Sequence, residues 1–245
     1  MPGVTTANIQ NEKMHGMAIE GAAGQVPVYL ERGTKRVFAC SVEWPGWCRS
    51  ARTTELALAE LARYAERYAA VPAAVGLRFG PADLDLSDQA AFAVVESMPG
   101  SSSTDFGAPC EIPVSDTEPV DAPAALRQLA LVEAAWGLLA TAADAAPPQL
   151  RKGPRGGGRD RDRMLTHVVA AEAAYARRLG VKHRPPAFDD TSAVTAMRAD
   201  IVAVLGAPSD GRPVVTTGWP TRYAARRIAW HALDHAWEMQ DRGTA

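Results

Sequence analysis

The alternation of apolar and polar positions predicts two short strands near the start of the chain. Val26–Glu31 and Arg36–Glu43 are rich in β-branched and aromatic residues, and the Arg-Gly-Thr-Lys sequence at 32–35 is typical of a hairpin turn. The Trp-Pro-Gly-Trp-Cys sequence at 44–48 predicts the end of the second strand, because proline has no amide hydrogen to donate and glycine favours a chain reversal.

A helical pattern follows this pair of strands. Apolar side chains recur at helical spacing over 56–68, after Thr53 and Thr54, either of which can cap a helix. Two later segments, Ala74–Phe79 and Ala91–Glu96, have the composition of strands. The predicted order is therefore β-β-α-β-β.

Helical spacing dominates the second half of the chain. The four predicted helices are Asp121–Ala146, Asp160–Leu179, Asp190–Leu205 and Thr221–Arg242. Proline follows the first of them, and a glycine follows each of the next two, as is common where helices end. Four helices joined by short or moderate connections predict an antiparallel bundle.

These patterns predict an α+β protein with two domains. Residues 1–24 carry no sustained periodicity and are expected to form a flexible arm. Residues 25–98 are the small β-β-α-β-β domain. Residues 99–119, rich in glycine, serine and proline, are a predicted linker, and 120–245 is the four-helix bundle.

The composition of the chain argues against several classes of protein function. The 245 residues are 47% hydrophobic and 22% charged with a net charge of −2, which argues against general nucleic-acid binding. The sequence contains no run of 18 apolar, uncharged residues, so no membrane span is predicted. It also has no signal-peptide pattern at its start, which predicts a cytoplasmic protein. The three cysteines include no Cys-x-x-Cys pair, so neither a disulfide framework nor a cysteine-rich zinc site is expected.

Three histidines of the predicted bundle are candidate metal ligands. His231 and His235 are four residues apart in one helix, so their Cβ atoms lie about 6 Å apart on one face. His167, in the second bundle helix, can supply a third imidazole. Three imidazoles bind a divalent metal such as zinc, nickel, iron or cobalt and leave positions open. Taken singly, a histidine on a helix is usually an ordinary core or surface residue, as is expected of His183.

Other polar side chains share the helix faces of these histidines. They are Arg163, Tyr223, Arg227, Asp234 and Glu238. In a functional interpretation a carboxylate orients a ligand imidazole, an arginine fixes an anionic substrate and the tyrosine donates a hydrogen bond. In the simpler interpretation the charged groups form ion pairs between helices.

Two short sequences carry a resemblance to a known family. Leu-Thr-His-Val-Val-Ala-Ala-Glu at 165–172 and Ala-Trp-His-Ala-Leu-Asp-His-Ala-Trp at 229–237 resemble the DinB-like metalloenzymes, which include mycothiol- and bacillithiol-dependent S-transferases and mycothiol-dependent maleylpyruvate isomerases. The resemblance covers about residues 120–242. It implies a divalent metal that activates a low-molecular-weight thiol toward an electrophilic substrate. The arginine- and alanine-rich composition of the chain favours mycothiol as that thiol. The metal ligands that the resemblance implies are His167, His231 and His235.

The predicted front domain is similar, more faintly, to the HicB-like fold. The similarity lies in the hairpin, the turn at 44–48 and the helix that starts at Thr54. We expect this domain to cover a substrate or to form a homodimer, rather than to bind nucleic acid. Two other functions remain open on the residues alone, namely a non-catalytic two-domain interaction protein and a metal-dependent hydrolase that uses metal-bound water.

Overall fold

The computed structural model describes residues 24–82, 84–153 and 158–243. The arm predicted for 1–24 lies outside the described residues except for Gly24. The strands are β1 (Val26–Arg32), β2 (Val37–Ser41), β3 (Cys48–Ala51) and β4 (Phe92–Pro99). The helices are α1 (Thr54–Arg63), α2 (Ala65–Ala74), α3 (Ser102–Phe106), α4 (Ala122–Ala145), α5 (Arg161–Arg178), α6 (Thr191–Leu205) and α7 (Thr221–Gly243). Short 3₁₀ helices occupy Gln89–Ala91 and Val114–Thr117. The α+β class is confirmed.

The four strands form one sheet in the order β3-β2-β1-β4. β1 and β2 make the predicted antiparallel hairpin, whose turn is closed by a 2.8 Å hydrogen bond from Gly33 N to Arg36 O. β4 lies parallel to β1 on its other side, since the chain crosses over through α1 and α2 before it returns. β1 is thus a central strand, and Val28 and Leu30 on it are fully buried.

β3 is absent from the sequence prediction. It follows the turn at 44–48 and pairs antiparallel with β2, with Cys40 opposite Cys48 and Val37 opposite Ala51. Its four residues include Arg49 and Ser50, so they show no apolar alternation from which a strand could be predicted. The structure therefore has the order β-β-β-α-α-β in place of β-β-α-β-β.

The predicted strand Ala74–Phe79 is wrong. α2 ends at Ala74, and Gly76 follows in the left-handed conformation with φ +70°. Phe79 is a half-buried loop residue that packs against the core, with its ring centroid 4.8 Å from that of Trp47 and 5.2 Å from that of Trp44. Packing of a loop side chain against the core thus produced a strand-like composition without any strand pairing.

The helix predicted after Thr53 is present as α1 and α2. The Thr53 side chain caps α1 by accepting a 3.3 Å hydrogen bond from Leu56 N. The helix predictions for the second half are closer, since α4, α5, α6 and α7 each begin and end within one residue of the predicted bounds. None of the helices among the described residues is both long and apolar enough to cross a lipid bilayer.

The predicted linker at 99–119 contains regular structure. α3 begins with a capping box in which Ser101 and Thr104 exchange side-chain to backbone hydrogen bonds, and the second 3₁₀ helix lies further along. Asp116, within this 3₁₀ helix, is completely buried. The expectation of an irregular segment is therefore wrong, whereas the domain boundaries stay a prediction.

α7 is the central helix of the second half. It packs along α4 and also contacts α5 and α6, and most of its residues are buried. One hydrophobic core contains side chains from β1, α1 and α2 together with side chains from α4, α5, α6 and α7. Because α7 is enclosed, polar side chains on it are held away from water, and two of the candidate ligands are among them.

The loop between β2 and β3 approaches α7 closely at Gly46. This residue has φ +90°, and a Cβ atom added to it would lie 2.7 Å from Leu233 Cδ1 and 3.0 Å from the Ala229 carbonyl carbon. Both the left-handed conformation and the contact with helix backbone require glycine.

We expect Gly46→Ala to lower the free energy of unfolding by about 2–4 kcal/mol, because it adds steric overlap with α7 to the cost of a left-handed alanine. Urea denaturation measures the loss. Gly76→Ala is the matched control, since Gly76 also has positive φ but an added Cβ would meet nothing within 4 Å. Equal losses in the two variants would contradict a role for the contact with α7.

Candidate metal centre

The three candidate histidines converge between α5 and α7. His167 lies midway along α5, and His231 and His235 lie on successive turns of α7. Because α5 packs against α7, the face of α5 that carries His167 meets the face that carries the other two. His231 and His235 are 6% and 7% exposed, whereas His167 is half-buried.

The imidazole rings are close enough to share one ion. His167 Nε2 and His231 Nε2 are 3.2 Å apart. The ring centroids are separated by 5.1 Å for His167 and His231, 5.1 Å for His167 and His235, and 4.7 Å for His231 and His235. One potential ligand atom from each ring lies within 4.8 Å of the others. The rings meet edge to face, so their nitrogen atoms point into a common space.

This arrangement fits a bound divalent metal. Two imidazole nitrogens held tetrahedrally at 2.0–2.1 Å from one ion are about 3.3 Å apart, close to the separation of the two Nε2 atoms. Imidazole nitrogen is a common ligand for zinc, nickel, iron and cobalt.

The surroundings of His167 and His231 favour their neutral forms. Burial lowers the pKa of His231 well below its usual value, and the neighbouring His235 and His167 act in the same direction. Burial, followed by the charge of Arg159, lowers the pKa of His167 to about 4. A neutral imidazole keeps the lone pair with which it binds a metal, so both rings are suited to ligation at neutral pH.

Glu238 orients the third ring. His235 Nδ1 donates a 3.2 Å hydrogen bond to Glu238 Oε2, and Arg242 Nη1 donates a 2.5 Å hydrogen bond to Glu238 Oε1. Burial acts to raise the pKa of Glu238, but the hydrogen bonds from His235 and Arg242 outweigh it and lower that pKa. An ionised carboxylate on Nδ1 leaves Nε2 as the ring nitrogen for a metal, the usual arrangement around ligating histidines.

Arg227 lies beside the centre without an acidic partner among the described residues. Its Nη1 donates a 2.7 Å hydrogen bond to Pro109 O, and its guanidinium carbon lies 4.6 Å from the centroid of the Trp230 ring. The positive charge contributes to the low pKa of His231. Arg227 is therefore placed where an anionic group close to the histidines would meet a cation.

The other predicted neighbours contact different groups. Asp234 forms a 2.9 Å ion pair with Arg49 of β3, and the Tyr223 hydroxyl donates a 2.9 Å hydrogen bond to Cys110 O. Arg163 is exposed on α5. Of these three residues only Asp234 forms an ion pair among the described residues, and its partner lies on a strand rather than on another helix.

Two residues near the centre were missed by sequence reasoning. The Tyr175 ring centroid lies 5.7 Å from that of His231. The positive charge of Arg159 contributes to the lowered pKa values of both His167 and His231. Tyr175 is eight residues after His167, a helical spacing that places both on nearby faces of α5 and could have indicated it. Arg159 precedes α5, and no spacing rule places a loop residue. By contrast, His183 is paired with Asp200 on the surface, at 2.7 Å, as expected of an ordinary histidine.

A second group of potential ligands is made by Glu31, Cys110 and Glu111, whose ligand atoms also lie within 4.8 Å of one another. The buried Glu31 carboxylate accepts hydrogen bonds from the backbone N–H groups of Cys110 and Glu111 and from the Thr104 hydroxyl. Its oxygens are already satisfied by the protein. This group fastens the segment after α3 to β1, which explains the burial of Glu31 without an ion.

Comparisons of the chain with protein-family models, with curated proteins and with solved structures find no match. The functional conclusion therefore depends on the geometry of the three histidines and on the residues around them.

Proposed function

We propose that this chain is a metal-dependent enzyme that activates a low-molecular-weight thiol for S-transfer or isomerisation within a bundle of DinB type. The observation that carries the proposal is the convergence of three imidazoles, with His167 Nε2 and His231 Nε2 3.2 Å apart. His167, His231 and His235 would hold a divalent ion such as zinc, nickel or iron. The resemblance of 165–172 and 229–237 to thiol-dependent DinB-like enzymes supports a low-molecular-weight thiol, and the arginine-rich composition favours mycothiol as that thiol.

A divalent ion in this place would supply Lewis acidity, which lowers the pKa of a thiol or water molecule bound to it. The protein supplies the ligands and their orientation. Glu238 holds the proton of His235 on Nδ1, because an ionised carboxylate can only accept. Packing of α7 fixes His231 and excludes water from its side of the centre.

Access and charge favour an anionic reactant. His167 is half-buried whereas the other two rings are enclosed, so a thiol and an electrophile would approach from the side of α5. Arg159 and Arg227 place positive charge near the imidazoles, and this charge adds to the larger effect of burial in lowering the pKa of His231. Positive charge at the entrance raises the local concentration of anions and favours a thiolate over a thiol.

Elemental analysis of the untagged protein is the first test. We expect about one equivalent of a divalent transition metal, since three buried or half-buried imidazoles form a nearly complete ligand set. Zinc-loaded protein should then convert an electrophilic halide only when a low-molecular-weight thiol is present. Less than about 0.2 equivalents of metal after loading would contradict the proposal and favour a non-catalytic interaction protein. Metal-dependent ester hydrolysis without any thiol would instead favour a hydrolase.

A further inference from the structure

Arg242, in the last turn of α7, uses every nitrogen of its guanidinium. Nη1 donates a 2.5 Å hydrogen bond to Glu238 Oε1, Nε donates a 2.7 Å hydrogen bond to Arg151 O, and Nη2 donates a 2.9 Å hydrogen bond to Arg159 O. The side chain is only 13% exposed. A planar guanidinium holds such a set of acceptors in fixed directions, which an ammonium group cannot do.

The two carbonyl groups belong to residues eight positions apart in the connection between α4 and α5. Arg151 also contacts the end of α7 in the reverse direction, since its N–H donates to Arg242 O at 3.0 Å and its Nη2 donates to Asp241 O at 2.7 Å. These bonds satisfy carbonyl groups that a helix end would otherwise leave unpaired. The connection is thus hydrogen-bonded to the last turn of α7 at two positions, Arg151 and Arg159.

The Arg242 guanidinium is also linked to the proposed metal centre, through Glu238. Glu238 accepts from Arg242 through Oε1 and from His235 through Oε2, so one carboxylate joins the arginine to the imidazole. We propose that Arg242 is a positioning residue that couples the α4–α5 connection to the orientation of His235 through Glu238. This proposal rests on the metal centre proposed above and adds a residue from outside the ligand set.

Coupling of this kind is reciprocal. If the fastened connection favours the ligating orientation of His235, then a metal that fixes His235 must favour the fastened connection by the same free energy. The connection carries four residues after which trypsin can cleave, namely Arg151, Lys152, Arg155 and Arg159. Zinc is therefore expected to slow tryptic cleavage after Arg151, Lys152 and Arg159, the three that lie among the described residues.

The test compares Arg242→Gln and Arg242→Lys with the natural chain. We expect Arg242→Gln to lower zinc affinity about tenfold, the lower end of the range for residues that orient metal ligands, and to remove the protection by zinc. Arg242→Lys should recover part of the affinity, because an ammonium can still donate to Glu238. Competition with a chromogenic chelator gives the affinity, and the visible absorption of the cobalt(II) form reports on the ligand geometry.

Arg67→Gln is the matched control. Arg67 pairs with Asp241 in the same turn of α7 at 2.9 Å, but its described hydrogen bonds reach neither Glu238 nor the connection. We expect its zinc affinity and its cobalt spectrum to match those of the natural chain. A general loosening of the end of α7 would instead affect both arginine variants.

A double-mutant cycle with Glu238→Gln tests whether Arg242 affects zinc affinity through Glu238. If Arg242 acts through Glu238, then Arg242→Gln should have almost no effect on zinc affinity once Glu238 is replaced. Equal tenfold losses in both backgrounds, or unchanged affinity in Arg242→Gln, would overturn the coupling while leaving the proposed metal centre intact. Failure of the natural chain to bind zinc would overturn the proposed function together with this inference.

Discussion

Replacement of His231 by alanine is expected to lower the zinc affinity of the chain by a hundredfold or more and to abolish thiol-dependent turnover. Structural zinc sites with four ligands bind with about 10–16 kcal/mol, so each ligand contributes on the order of 3 kcal/mol. His231 faces His167 at 3.2 Å and is almost fully buried, so solvent cannot replace its imidazole without rearrangement of α7. Isothermal titration with zinc measures the change.

Two further variants make this result specific. His183→Ala removes a surface imidazole that pairs with Asp200, and it should leave zinc affinity unchanged. His167→Ala should lower the affinity with less disturbance of the core, because His167 is half-buried. Zinc affinity that survives in both His231→Ala and His167→Ala would contradict the three-histidine centre.

Replacement of Asp116 by alanine is expected to lower the free energy of unfolding by about 3–5 kcal/mol. Arg226 of α7 is 4% exposed and Asp116 is fully buried, and two hydrogen bonds of 2.9 and 2.5 Å join them. The same guanidinium donates to the backbone carbonyls of Ser41 and Val42. Without Asp116 a buried positive charge would have only neutral acceptors.

Urea denaturation of Asp116→Ala gives this loss directly. Asp210→Ala, which removes the acidic partner of the exposed Arg212, should move the unfolding midpoint little. The double variant with Asp116→Leu and Arg226→Met should be more stable than Asp116→Ala, because it removes both charges instead of leaving one unpaired. A double variant less stable than Asp116→Ala would contradict the explanation by an unpaired buried charge.

The long helices could be predicted from the sequence because their signals are local. In α4, α5, α6 and α7 the helical repeat extends over several turns. An aspartate precedes each of the first three, and a proline or a glycine follows each of those three within two residues. β3 and the segment after α2 could not be predicted in this way. Four residues of β3 are too few to show an alternation, and Phe79 packs against Trp47 from a loop rather than from a paired strand.

In the candidate metal centre, too, local spacing predicts some features and helix packing determines the others. The spacing of His231 and His235 places them on one face of a helix, since four residues are close to one helical turn. The sequence alone could also indicate Glu238, three residues after His235. It could not establish that His167 meets them, because that depends on how α5 packs against α7.

The α+β class, the bounds of the long helices and the shared face of His231 and His235 on α7 could be predicted without a structure, because they follow from interactions within a few residues. Other features are evident only from the folded chain, namely the parallel pairing of β4 with β1, the burial of Asp116 against Arg226 and the hydrogen bonds from Arg242 to the α4–α5 connection. Those contacts join residues far apart in the chain. Their partners are selected by packing, for which local spacing contains no information.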